Sequence, residues 1–172
     1  MALIVEDGTG LDPVANSYQS VGDLRNYAEL RGVDLTNKSN QDLETVMIKA
    51  MDFLENQRGK YKGQKVSASQ PLEWPRSDVY DVDLPGELHP FNQIPRLLKY
   101  AQLALALEAL DHDLQPNRNL TGQGSITKEK VGDIEVTYSV DKPAQNFTSA
   151  FTKPAGMLSP LFKRSGLSLV KV

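Results

Sequence analysis

The sequence predicts a mainly α protein: a small three-helix domain with an accessory β-hairpin and extended N- and C-terminal arms. Three observations carry that prediction. Two amphipathic segments each follow a serine with an acid three residues on, the pattern of a capped helix start. A third segment, residues 101–110, is apolar at every position except Gln102 and Glu108. Beyond it, Ile134, Val136, Tyr138 and Val140 alternate with Glu135, Thr137 and Ser139, so the apolar spacing changes from that of a helix to that of a strand.

Residues 1–19 read as an extended arm. Gly8, Gly10 and Pro13 break any helix there, while Leu3, Ile4 and Val5 suit a short strand or the surface of a partner. Ser20 with Asp23 caps the first helix, whose apolar face is Val21, Leu24 and Ala28 with Tyr27 beside it, and Gly32 stops it after Arg31. Ser39 with Asp42 caps the second. Its stripe is Leu43, Val46, Met47, Ala50 and Leu54, widened by Met51 and Phe53, and it ends near Arg58 and Gly59.

Residues 59–93 hold no sustained period. They carry Pro71, Pro75, Pro85 and Pro90 with Tyr61, Trp74, Tyr80 and Phe91, and an irregular segment of that length is ordered by contacts or by function. Ile94 and Pro95 open the third helix, which reaches about Asp113 ahead of Pro116. Its apolar run implies cover on more than one side, by its own domain and by a neighbouring subunit. Trp74, Tyr80, Leu103 and Leu107 are therefore the candidate subunit-contact residues. Residues 125–140 read as the hairpin, turning at Gly132 and Asp133, and complete a domain over residues 20–140.

Charge is uneven along the 172 residues. The net formal charge is −3, yet residues 142–172 hold five basic residues and no acid, which leaves the rest at −8. That basic tail, 141–172, is also apolar, with one short helix around residues 154–163. Exposed apolar surface of that extent marks a docking segment, so Phe151, Met157, Leu158, Leu161, Phe162, Lys163 and Arg164 are the candidate partner-binding residues. A second cluster, Arg58, Lys60, Tyr61, Lys62 and Lys65, lies near Trp74 and Arg76 in sequence. It has the composition of a single-stranded nucleic-acid site, with charge for phosphate and aromatic faces for bases. The sequence pI near 5.4 weighs against DNA binding.

The sequence holds no cysteine and only His89 and His112, which excludes disulfides, thiol catalysis and a three-histidine zinc site within one chain. It has no phosphate loop and no dinucleotide fingerprint. His112 sits at a helix end, where histidine is ordinary. Asp78, Asp81 and Asp83 lack the spacing of a calcium loop and read as a solvated loop or a channel wall. The expectation is a protein that is not an enzyme, with no cofactor, no metal and no membrane span. The acid at Glu6 and Asp7 argues against a signal peptide.

Four stretches carry a resemblance. They are Met1-Ala2-Leu3-Ile4-Val5-Glu6-Asp7-Gly8-Thr9-Gly10 with Ala15-Asn16-Ser17-Tyr18, then Trp74-Pro75-Arg76 with Val79-Tyr80-Asp81. The others are Ile94-Pro95 before the alanine/leucine helix, and Lys130-Val131-Gly132 leading into Ile134-Glu135-Val136. In this order they resemble a tailed-bacteriophage family often labelled DnaT-like single-stranded DNA-binding protein, similar also to head–tail adaptors (connector or head completion proteins). The resemblance covers about residues 1–140. It departs at an extra residue near Pro13 and at Asp78, where a glycine is expected. Likeness to the adaptors implies a structural virion protein at the head–tail interface, assembled in the host cytoplasm. It implies a homo-oligomeric ring, usually of twelve copies, beneath the portal protein and above a downstream tail or tail-completion protein. Genomic DNA would pass through the bore without specific binding. The other label implies a single-stranded DNA-binding protein of phage replication or packaging.

Overall fold

A computed structural model describes residues 2–115, 128–131, 134–137 and 151–163, the two strands within 128–137 by backbone alone. Arg164 and the expected turn at Gly132 and Asp133 lie outside the described residues. Among those described there are four α-helices: α1 Val21–Glu29, α2 Asn40–Glu55, α3 Arg96–Glu108 and α4 Thr152–Leu158. Short antiparallel pairs join β1 Gln64–Lys65 to β2 Arg76–Ser77 and β3 Lys128–Val131 to β4 Ile134–Thr137, with Val131 opposite Ile134.

The serine caps form as the sequence predicts. Ser20 Oγ accepts from the Asp23 N–H at 3.1 Å while Asp23 accepts from the Ser20 N–H at 2.9 Å, and Ser39 with Asp42 repeats the exchange. Asp does here what Glu usually does, closing two free donors at once. α1 stops at Glu29, short of Arg31, because residues 28–32 wind into turns that end on Gly32 at φ +71°. α2 stops at Glu55 and is followed by a 3₁₀ turn at Arg58–Lys60. α3 is shorter than expected at both ends. Ala109 and Leu110 close it through turns, and His112 continues only as a turn, its N–H donating to Glu108.

α3 is the centre of the core. Leu98, Ala101, Gln102, Leu103, Ala104, Leu105 and Ala106 are all buried, and α1, α2 and α4 pack around them. The cover expected from a second subunit thus comes from the same chain. Trp74 and Leu103 are core residues and Leu107 packs half-buried against the core, so of the four expected contact residues only Tyr80 is exposed.

The expected docking tail supplies that cover. Leu158 and Leu161 are fully buried, with Met157 half-buried beside them. Phe151 meets Phe53 edge-on at 5.7 Å, and Phe162 lies 5.2 Å from Tyr61. Backbone bonds fasten the segment: the Lys62 N–H donates to Leu161 O at 3.0 Å and the Lys163 N–H to Lys60 O at 2.7 Å. These residues complete the chain's own core. The physical reason is effective concentration, since a tethered apolar segment meets its own domain before any partner.

Residues 2–19 likewise form no free arm. Val5 bridges Ser17 in parallel, and Ile4 and Asn16 exchange bonds at 2.8 and 2.9 Å. The buried Glu6 accepts from the N–H groups of Gly8 and Gly10, at 3.0 and 2.9 Å. Gly8 has φ +102°, and a Cβ there would lie 2.6 Å from Asn92 O, so only glycine fits. Gln102, the polar interruption of α3, is the anchor of this loop. Wholly buried, it accepts from the Tyr18 N–H at 3.0 Å and donates to Ser17 Oγ at 2.7 Å.

Candidate nucleic-acid interface

The predicted basic–aromatic run does not form a site. Tyr61 is buried, donates to Leu54 O at 3.2 Å, and packs its ring on Trp74 and Phe162. Burial pushes its hydroxyl pKa well up. Trp74 is wholly enclosed. Lys60 donates to Gln57 Oε1 at 2.7 Å, Lys62 to Pro160 O at 2.8 Å, and Lys65 lies 3.6 Å from Glu73. Arg76 is buried against Lys62 O, Gly63 O and Glu73. Arg58 and Lys60 stay exposed, and neither makes an ion pair among the described residues. The rings that should stack on bases face inward, and most of the cations are engaged by the chain itself.

The fold brings together a different set. Tyr27 of α1 and Tyr100 of α3 lie with ring centroids 5.8 Å apart. The Arg31 guanidinium sits 3.4 Å from the Tyr27 ring centre, and Lys153 Nζ of α4 lies 5.8 Å from the same ring. The Arg96 guanidinium is 6.0 Å from the Tyr100 ring. Each pair is local: Arg96 and Tyr100 are four residues apart on one face of α3, and Arg31 folds back over Tyr27 from the turn that follows α1. Arg31 also donates to Tyr27 O at 3.0 Å, fixing its guanidinium over the ring.

The strip has an open platform and a hidden handle. Tyr100 is 38% exposed, whereas Tyr27 is buried and its hydroxyl has no hydrogen-bond partner among the described residues. Burial pushes that hydroxyl pKa up, with Arg31 drawing it back. The cations Arg31 and Lys153 make no ion pair among the described residues, and Arg96 meets only Asp83 at 3.3 Å, both ends exposed. The sequence carries a faint signal of this set in the two tyrosine–arginine doublets. It carries none of their meeting, because α1, α3 and α4 are far apart along the chain.

Next to the strip, residues 78–91 form an acidic lobe. Tyr80 bridges Leu88, with the Asp81 N–H on Glu87 O and the His89 N–H on Val79 O, each at 2.8 Å. Asp78 opens the lobe at φ +58°, a left-handed conformation that explains why a glycine is expected there. Asp81 is consumed by structure. It lies 2.9 Å from His89 Nδ1 and accepts from the N–H groups of Asp83 and Leu84, contacts that hold its carboxyl below the usual range. Among the described residues no group of three or more His, Cys, Asp or Glu could hold a metal ion, and no helix is long and apolar enough to cross a membrane.

The model of the family described as "Putative DnaT-like ssDNA binding protein" matches residues 1–172. The chain belongs to that family. No curated protein and no solved structure matches it. Membership in the DnaT-like family extends over the tail as well as over residues 1–140, so α4 lies within the family's span. Nothing in the match speaks for a head–tail adaptor in particular.

Proposed function

We propose that this chain is a non-catalytic binding protein that holds single-stranded DNA along the strip of Tyr27 and Tyr100. The observation that carries the reading is the placement of three cations within 6.0 Å of two neighbouring tyrosine rings. Arg31, Lys153 and Arg96 would supply the charge that meets phosphates. Tyr100 offers its open face to a base, and every base has a face to stack, so the binding is tolerant of sequence. The description of the family supports the same ligand class. The overall negative charge limits affinity and makes the local strip decisive.

The test is anisotropy of a labelled oligothymidylate across a salt series. Three phosphate contacts on a single strand give a slope of log K against log salt near −2. Tyr100→Ala should weaken binding by about 5- to 150-fold, the worth of one stacked base at roughly 1–3 kcal/mol. Arg31→Ala should reduce the slope by about 0.7. Arg58→Ala should change little. Binding that ignores Tyr100→Ala and Arg31→Ala would overturn the assignment.

A second reading has its own observation. The lobe exposes Tyr80 and Phe91 at 65% each, with Leu84 and Leu88 exposed in the same segment, apolar surface of the kind that marks an interaction site when it is contiguous. That surface suits the head–tail adaptor implied by resemblance: a ring subunit beneath the portal in the virion, assembled in the host cytoplasm and joined to a tail protein, with genomic DNA passing unbound. Light scattering with and without portal protein decides it. A monomer that neither forms a ring nor shifts onto the portal removes this reading.

A further inference from the structure

We infer that the acidic lobe and the cationic strip form one self-complementary face, on which a second copy of this chain docks about a two-fold axis, each lobe seated on the other copy's strip. The inference rests in part on the strip being the DNA site, since the second copy then competes with DNA for the same surface. Two patches of opposite sign lie side by side. Residues 78–91 carry Asp78, Asp81, Asp83 and Glu87 and no lysine or arginine. His89 engages Asp81, whereas Asp78, Asp83 and Glu87 are exposed. The strip carries Arg31, Lys153 and Arg96, all exposed. Arg96 joins the two patches: its guanidinium is 6.0 Å from the Tyr100 ring and 3.3 Å from Asp83.

The lobe has the chemistry of the ligand it would displace. Acids stand in for phosphates, and the exposed rings of Tyr80 and Phe91 offer flat faces as bases do. Both rings stay uncovered in the single chain, so its own strip does not take them. The lobe is held in shape before it meets anything, by the bonds from the Asp81 N–H to Glu87 O and from the His89 N–H to Val79 O. A surface ordered in advance loses little freedom on docking. Symmetry selects the occupant. Where patches of opposite charge adjoin, a two-fold axis through their boundary satisfies both at once, because each contact is repeated in reverse. A basic partner protein would match the lobe alone and leave the strip's cations unanswered.

Sedimentation equilibrium of the full chain at low salt should show a concentration-dependent species of twice the 19.0 kDa chain mass. Two charge-swapped variants decide the contact. Asp83→Lys with Glu87→Lys reverses the lobe, and Arg31→Glu with Lys153→Glu reverses the strip. Each variant alone should dimerise more weakly by about a hundredfold or more, since like charges then meet. Mixed in equal amounts the two should restore the dimer, because each lobe again meets a strip of opposite sign, and restoration shows that both variants fold. A monomer at every concentration of the unaltered chain, an assembly larger than a dimer, a dimer that ignores either swap, or variants that mixing does not rescue would overturn the inference. Competition is read separately. Oligothymidylate added to the unaltered chain should convert dimer into DNA-bound monomer, and a dimer that carries the DNA undiminished would overturn the shared surface. The lobe variant keeps its strip and should bind oligothymidylate at least as tightly as the unaltered chain. If it binds none, the strip is not a DNA site and the competition falls with it, while the swap result still decides the contact.

Discussion

Leu158→Ala tests whether the C-terminal segment is core or appendage. Leu158 is wholly buried in α4, which packs along α3. Truncation removes the transfer energy of three carbon atoms' worth of side chain and leaves a void. The buried face of α3 carries Ala101, Ala104 and Ala106, side chains too short to swing into that void. Relaxation is therefore limited, and the loss should fall in the upper part of the usual range, about 3–5 kcal/mol. For a chain of this size that corresponds to a fall in Tm of roughly 6–20 °C. Urea denaturation followed by tryptophan fluorescence is the assay, because Trp74 is the sole tryptophan and is enclosed in the core. Thr152→Ala, exposed on the same helix, should stay within about 0.5 kcal/mol of the parent. A loss below about 1 kcal/mol for Leu158→Ala, with an unchanged denaturant slope, would mean that α4 is a detachable tail and that the packing argument is wrong.

Three further outcomes follow from other parts of the core. Gln102→Leu should cost about 1–3 kcal/mol in the same urea assay, since it strands the buried Tyr18 N–H and removes the donor to Ser17 Oγ, which keeps its own bond to Gln19 O; a loss under about 0.5 kcal/mol would show that the N-terminal loop is not anchored there. Asp78→Gly should stabilise by up to about 1 kcal/mol, the relief of a left-handed residue less the added freedom of glycine when unfolded, and a destabilised variant would contradict the assigned φ. Glu55 is half-buried beside Tyr18 and Glu73, and its removal from solvent raises its pKa above the ordinary 4.5. An acid raised in the folded state contributes fully below the unfolded value, and that contribution is lost as pH climbs through the folded one. Glu55→Gln, whose carbonyl oxygen can still accept both bonds, should therefore flatten the decline in stability above about pH 4.5. An identical pH profile for the variant would remove Glu55 as its source.

The local elements were legible because their causes are local. A serine with aspartate three residues on specified both helix starts. The alternation after Ile134 specified a strand, and β4 forms from Ile134 to Thr137. The run of alanine and leucine fixed α3 as a covered helix. Nothing in that run says whose residues cover it.

What covers each surface was decided only in three dimensions. Tyr61 and Trp74 carry the same letters whether their rings stack on a base or on each other, and packing turned both inward. Phe151, Leu158 and Leu161 look like a docking tail in a linear reading, because seven helical residues that include Pro154 and are followed by Pro160 give too short a period to reveal a core helix. The strip of Tyr27, Arg31, Arg96, Tyr100 and Lys153 had no linear signature beyond its two doublets, since it exists only where three helices meet. The sequence by itself determined which segments become helix and strand, through caps, periodicity and glycine positions that act within a few residues. The tertiary structure alone decided which apolar faces find each other, because burial is a property of pairs of segments and effective concentration favours those already joined by one chain.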